Sequence, residues 1–205
     1  LRTNADATDK WWALSDTGAG NLKRLFYTTG GTPTDPTSAW SADTITSSPT
    51  NCRDFTVFEN DTRGDSINNN QLFVATDCDV AVLNDTGNNA WNATWWSVKE
   101  GHTADSGLDT GVPHPIQYFP FRRIVLLGSR NRIHTISRPT DTQNDTSTMS
   151  RLIFPKDLET RHIFHTSDRA WILCSHLYGG NGRIVEWDGF SETYNQIYDA
   201  HAATP

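Results

Sequence analysis

The apolar residues of this chain fall in short bursts of four to seven. Asp, Asn, Gly, Thr, Ser and Pro separate them. The clearest bursts lie at 11–14, 25–28, 55–58, 72–76, 80–83, 95–98, 116–119, 124–127, 133–136, 152–154, 162–164, 170–174, 184–187 and 194–198. They are rich in Val, Ile, Phe, Trp and Tyr and too short for helices, so they predict short antiparallel strands joined by turns. No segment keeps a helical period over three turns. The stretch 190–201 is the best helix candidate, and even it alternates like a strand.

The bursts repeat as a group. Leu72-Phe-Val-Ala-Thr76, Ile124-Val-Leu-Leu-Gly128 and Trp171-Ile-Leu-Cys-Ser175 start 52 and 47 residues apart. Each follows a shorter burst, and each precedes a turn, a third strand and a looser fourth. Four strands per repeat at about 40–50 residues is the spacing of a β-propeller blade. Leu14-Ser-Asp-Thr-Gly18 echoes Leu83-Asn-Asp-Thr-Gly87, which places 11–14 as the third strand of an earlier blade. The expectation is an all-β chain of about three and a half blades: a partial blade at 1–50, then blades at 51–100, 114–155 and 160–200, as part of a larger ring. A β-sandwich is the alternative; it accounts for the strands but not for the repeat.

Composition narrows the partners. The 205 residues carry 17 Lys and Arg against 24 Asp and Glu, a net charge of −7. Such a chain lacks the clustered cations that wrapping a nucleic acid needs. No apolar run approaches the roughly 20 residues that span a bilayer as a helix. The sequence starts at Leu1 and ends His201-Ala-Ala-Thr-Pro205, which reads as a processed product or a fragment of a longer chain.

The three cysteines are odd in number. If strands at 54–59 and 71–76 pair with Asp54 facing Thr76, Cys52 falls opposite Cys78 and a Cys52–Cys78 disulfide is expected. Cys174 sits inside an apolar burst and reads as a buried thiol. Asn-x-Thr sequons at Asn60, Asn84, Asn92 and Asn144 lie where loops are expected, although an Asn- and Thr-rich chain produces several by chance.

Candidate chemistry is sparse. Sialidases are propellers with polar hairpin turns, but Asn84-Asp-Thr-Gly-Asn-Asn-Ala-Trp91 has the Asp and Gly of their repeat in the wrong register. Glu186 and Asp188 flank Trp187 and share one side of a strand, which makes them the carboxylates to test for glycoside hydrolysis. Asp61 to Asn68 scatters oxygen ligands without the spacing of a calcium loop. His162 and His165 are three apart on a strand and face opposite sides. No metal site, cofactor site or catalytic set is expected. Arg63-Gly-Asp65 matches an integrin tripeptide, a match short enough to arise by chance. In a propeller, the loops leading into first strands and those joining second to third strands share one face. That face would carry Asp77, Asp79, Arg130, Asn131, His176, Tyr178, His102, Asp105 and His114, a polar set suited either to a carbohydrate or protein partner or to plain solvation.

The stretch 72–201 resembles propeller-bearing proteins of tailed bacteriophages. The residues that carry the resemblance are Leu83-Asn-Asp-Thr-Gly87 with Trp95-Trp96, Gly111-Val-Pro-His-Pro115, 124–128 with Ile133-His-Thr-Ile136, and Arg183-Ile-Val-Glu-Trp-Asp-Gly189. None of these motifs is catalytic. The resemblance implies a non-enzymatic virion component, in a tail or a host-facing part, that binds or scaffolds. Its partners would be other virion or surface proteins, further copies of itself, or a glycan receptor. The alternatives are a sialidase-like carbohydrate-active enzyme and a secreted recognition propeller.

Overall fold

The structure, a computed structural model, describes residues 2–3, 10–16, 23–29, 41–42, 52–58, 71–76, 80–84, 113–136, 148–177 and 182–199. Among the described residues the chain is all-β, and its strands pair antiparallel in four sheets. The first sheet holds β1 (Arg2–Thr3), β2 (Lys10–Asp16), β3 (Lys23–Thr29) and β4 (Ser41–Ala42). The second holds β5 (Cys52–Phe58), β6 (Gln71–Thr76) and β7 (Val80–Asn84). The third holds β8 (Ile116–Phe119), β9 (Ile124–Gly128), β10 (Arg132–Ile136) and β11 (Thr148–Ile153). The fourth holds β12 (Leu158–His165), β13 (Ala170–His176), β14 (Gly182–Trp187) and β15 (Asn195–Asp199). In every sheet each strand pairs with its neighbour in sequence, so the connections are hairpins and no strand crosses over.

Three expectations change. Residues 10–16 form the second strand of a four-stranded sheet, not the third strand of a partial blade. Leu14 and Leu83 therefore occupy different strand positions, on the second strand of one sheet and the third of another. The stretch 190–201 contributes the strand β15, in keeping with its alternation. The register of β5 on β6 also differs: Asp54 faces Ala75 and Cys52 faces Thr76, with an irregularity between Cys52 and Asp54. The physical reason lies in Asp54, whose carboxylate accepts the NH of Phe55 at 2.8 Å and of Ile116 at 3.0 Å. Cys52 is buried opposite Thr76, and Cys78 lies outside the described residues. So do the burst at 95–98, the Arg63-Gly-Asp65 tripeptide and the sequons at Asn60, Asn92 and Asn144.

The sheets stack through their first strands. β5 lies against β8, and β12 lies against both β8 and β9. Two cores result. One joins Phe73, Ala75 and Val80 of the second sheet to Ile116, Tyr118, Val125, Leu127 and Ile136 of the third. The other joins Phe119, Leu126, Ile133 and Leu152 of the third sheet to Leu158, Ile163, Ala170, Ile172, Val185 and Trp187 of the fourth. The third sheet is thus buried on both faces. This explains why Ile124-Val-Leu-Leu runs apolar without alternating, as a strand covered on both sides must. Trp187, 1% exposed, anchors the second core and donates its indole NH to Ser191 O at 2.8 Å.

Close approach has a cost at Gly128. A Cβ there would lie 2.6 Å from Thr160 Cγ2 and 2.8 Å from Pro115 Cγ. A glycine lets the end of β9 touch both β12 and the segment leading into β8. Gly128→Ala should therefore destabilise the fold by about 1–3 kcal/mol through overpacking, read as a melting temperature lowered by several degrees. Burial also governs Cys174, 3% exposed on β13. Desolvation pushes its thiol up to about 12, against the opposing pull of the nearby Thr160 hydroxyl and the charge of Arg183. The reactive thiolate is therefore scarce at neutral pH. Alkylation of the native protein at pH 8 followed by peptide mapping should leave Cys174 unmodified, and alkylation in denaturant should modify it.

Candidate functional site

Four described segments carry or adjoin the residues expected on the loop face. They are the run into β8 (113–115), the β9–β10 turn (129–131), the run into β12 (154–157) and the end of β13 (His176–Leu177). Of the residues expected there, His114, Arg130, Asn131 and His176 are described; Asp77, Asp79, His102, Asp105 and Tyr178 lie outside the described residues.

His114 is fully buried, and its Nδ1 is hydrogen-bonded to the carbonyl of Thr76 at the end of β6. For that contact Nδ1 must carry the proton. The imidazole therefore acts as a latch between the second sheet and the third. The β9–β10 turn is held by its backbone. Thr160 NH reaches Arg130 O at 3.2 Å and Ser129 O at 3.4 Å, and Phe154 NH donates to Asn131 O at 2.7 Å. Arg130 itself is exposed. The Asn131 side chain accepts from Arg132 Nε at 3.4 Å. His176 Nδ1 meets Asp157 Oδ2 at 2.7 Å, while Leu177 NH donates to Asp157 O at 2.9 Å. The structure thus brings Arg130 and Asn131 against the fourth sheet, and it gives His114 and His176 separate partners.

Among the described residues of these segments there is a hydroxyl–imidazole contact. Ser129 Oγ lies 3.4 Å from His134 Nε2, with Ser129 4% and His134 1% exposed. That distance exceeds the usual reach of an activated nucleophile, and burial gives a substrate no route to the pair. Among the described residues, no group of three or more His, Cys, Asp or Glu side chains is placed to hold a metal ion.

The carboxylates flanking Trp187 sit at the other end of the fourth sheet, beside a pocket of about 100 Å³ lined by Arg169, Glu186, Asp188, Thr193, Tyr194 and Asn195. Glu186 pairs with Arg169 Nε at 3.1 Å. Asp188 lies just past the end of β14, and it lines the same pocket as Glu186. Its Oδ1 accepts the NH of Phe190 at 2.9 Å, the NH of Ser191 at 2.8 Å and the Ser191 hydroxyl at 2.9 Å. Desolvation opposes ionisation of Asp188, but the NH groups of Ser191 and Phe190, the Ser191 hydroxyl and the Arg122 charge outweigh it, and its pKa lies below 3.8. A group held ionised in this way caps a loop; a general acid for glycoside cleavage needs the opposite shift.

The β8–β9 turn closes on the same loop. Arg122 donates from Nε to Asp188 O at 3.1 Å, and its guanidinium carbon lies 5.0 Å from the Phe121 ring centroid and 5.7 Å from that of Phe190. Gly189 has φ +77, and a Cβ there would lie 2.7 Å from Phe119. Sequence reasoning missed this assembly. Asp-Gly-Phe-Ser is a legible turn signal, but its partner Arg122 is 66 residues away and leaves no periodic trace.

No protein-family model matches the chain, and no curated protein matches it significantly.

Because the Asp188 pKa is depressed, its contribution to stability is present above the unfolded value near 3.8 and is lost as pH falls through the folded value. Asp188→Asn should lower the melting temperature at pH 7. The gap to the parent protein should narrow as the pH is taken below 3.8, followed by circular dichroism melts.

Proposed function

We propose that the four sheets are successive blades of a β-propeller, and that the chain is a non-enzymatic structural or recognition module of a virion or another extracellular assembly. The observation that carries the blade reading is the double burial of the third sheet. It has one core on the second sheet and a separate core on the fourth, with first strands in series from β5 to β8 to β12. A sandwich has one core between two sheets, whereas a propeller has one between every adjacent pair of blades.

The scaffold role draws support from how the polar groups are used. His114, the 129–131 backbone and the Asp157–His176 pair all spend their hydrogen bonds on joining strands and sheets. The virion or extracellular setting rests on the pattern resemblance to tailed-phage propeller proteins, including Gly111-Val-Pro-His-Pro115 and Arg183-Ile-Val-Glu-Trp-Asp-Gly189. Other virion or surface proteins, further copies of the chain and a glycan receptor are the partners that reading entails.

Cryo-electron microscopy of the source material tests it. The expected result is density for this chain in a repeated, symmetric particle, with the four sheets fanned about one axis. A free monomer that turns over fluorogenic glycosides, with activity abolished by Glu186→Gln, would replace this reading with the sialidase-like one.

A further inference from the structure

The pocket beside Trp187 holds polar groups that the scaffold does not use. Its lining joins Arg169, in the β12–β13 turn, to Glu186 on β14 and Asp188 just after it, with Thr193, Tyr194 and Asn195 leading into β15. Arg169 meets Glu186 Oε1 through Nε at 3.1 Å, which leaves its terminal NH2 groups. Asp188 takes its hydrogen bonds from Phe190 and Ser191 on Oδ1, which leaves Oδ2. Among the described residues, the Tyr194 hydroxyl and the side chains of Thr193 and Asn195 have no hydrogen-bond partner.

The pocket continues onto an aromatic strip. Cross-strand register sets Phe164, Trp171, Glu186 and Asn195 opposite one another in a row over all four strands of the fourth sheet. Residues directly opposed in an antiparallel pair share a face and stand about 5 Å apart. Trp171 therefore lies one strand away from Glu186. Its ring stacks with that of Phe164, centroids 6.2 Å apart and planes 7° apart. Convergent polar groups beside aromatic surface are the anatomy of a small-molecule site.

We propose that this pocket binds one neutral pyranose unit of a glycan, and that the Trp171–Phe164 strip takes the next unit along. The proposal rests on the recognition role proposed above and names its ligand class; it does not need the blade arrangement. Three features select a neutral sugar. A sugar hydroxyl donates one hydrogen bond and accepts two, and the pocket offers partners of both kinds. Its volume of about 100 Å³ suits several waters or one small ring. Arg169 is already paired, and one cation stands against two carboxylates, so an anionic sugar meets net repulsion. The flat rings give the C–H face of a pyranose a surface to lie on. Asp188 stays ionised at neutral pH and supplies no general acid, so the sugar is held and not cleaved.

Saturation-transfer NMR on the whole chain tests the proposal. The probes are glucose, galactose, mannose and N-acetylglucosamine, a disaccharide of each, and N-acetylneuraminic acid. The expected result is transfer to the ring protons of a neutral sugar with a Kd on the order of millimolar. Its disaccharide should bind about fivefold tighter, and N-acetylneuraminic acid should give no transfer. Asn195→Ala, at an exposed position, should weaken binding by about fivefold while the circular dichroism melt stays near that of the parent. Phe164→Ala, also at an exposed position, should reduce the disaccharide advantage and leave the monosaccharide bound. No transfer to any neutral sugar well above that Kd, a preference for N-acetylneuraminic acid, or binding that Asn195→Ala leaves intact would overturn the pocket assignment. Equal affinity for monosaccharide and disaccharide would overturn the strip. The recognition reading fails differently: a fluorogenic glycoside that is bound and hydrolysed rejects that reading and keeps the pocket. A chain that sits in a particle and binds no sugar keeps the reading and rejects the pocket.

Discussion

The arrangement depends on two side-chain acceptors of β5. Asp54 Oδ2 takes the NH of Ile116 at 3.0 Å, and Thr56 Oγ1 takes the NH of Tyr118 at 2.9 Å. Both donors lie on β8, which among the described residues is an edge strand paired with β9. Its remaining NH groups would otherwise be buried without partners, at a cost of about 1–3 kcal/mol each. The sheets are therefore joined by hydrogen bonds from an edge strand to side chains, and no continuous backbone ladder links them. The edge strand is satisfied, and the two sheets are fixed at an angle that a shared ladder would not allow.

The junction between the third and fourth sheets is secured at both ends. At one end Thr160 NH binds the 129–131 turn, and Gly128 admits the close contact. At the other, Arg122 reaches Asp188 O, and Gly189 lies under Phe119. Between these ties lies the larger core, with Trp187 and Leu126 almost fully buried. Pinning both ends stops the sheets from sliding, so apolar contact in the middle need not specify the angle by itself.

This division of labour explains what could be read from the sequence. Apolar bursts are local signals, and uninterrupted ones such as 124–127 also report burial on both faces. The strands of the second, third and fourth sheets were legible for that reason. Polar ties are not local. Asp54 and Ile116 stand 62 residues apart, as do Thr56 and Tyr118, and His114 reaches Thr76 across 38. Nothing in the alternation around Asp54 marks it as an acceptor for another sheet, and the β5–β6 register cannot be drawn correctly without that role. The partner of His114 was illegible for the same reason. Blade geometry puts His114 on a polar loop face, but its side chain is fully buried as a latch.

The contrast between β9 and β13 carries the argument furthest. Both are the second strands in sequence of four-stranded meanders, and both open on an apolar run. In β9 successive residues Val125, Leu126 and Leu127 are all buried. In β13 burial alternates, with Ile172 and Cys174 inside and Trp171 and Leu173 only part-covered. A strand on a solvated face ordinarily places polar residues at the outward positions. Trp and Leu there are costly to leave wet, since each side chain gains roughly 1.5–3 kcal/mol on full burial. The sequence of β13 is thus that of a strand covered on both sides, although among the described residues only one side is fully buried.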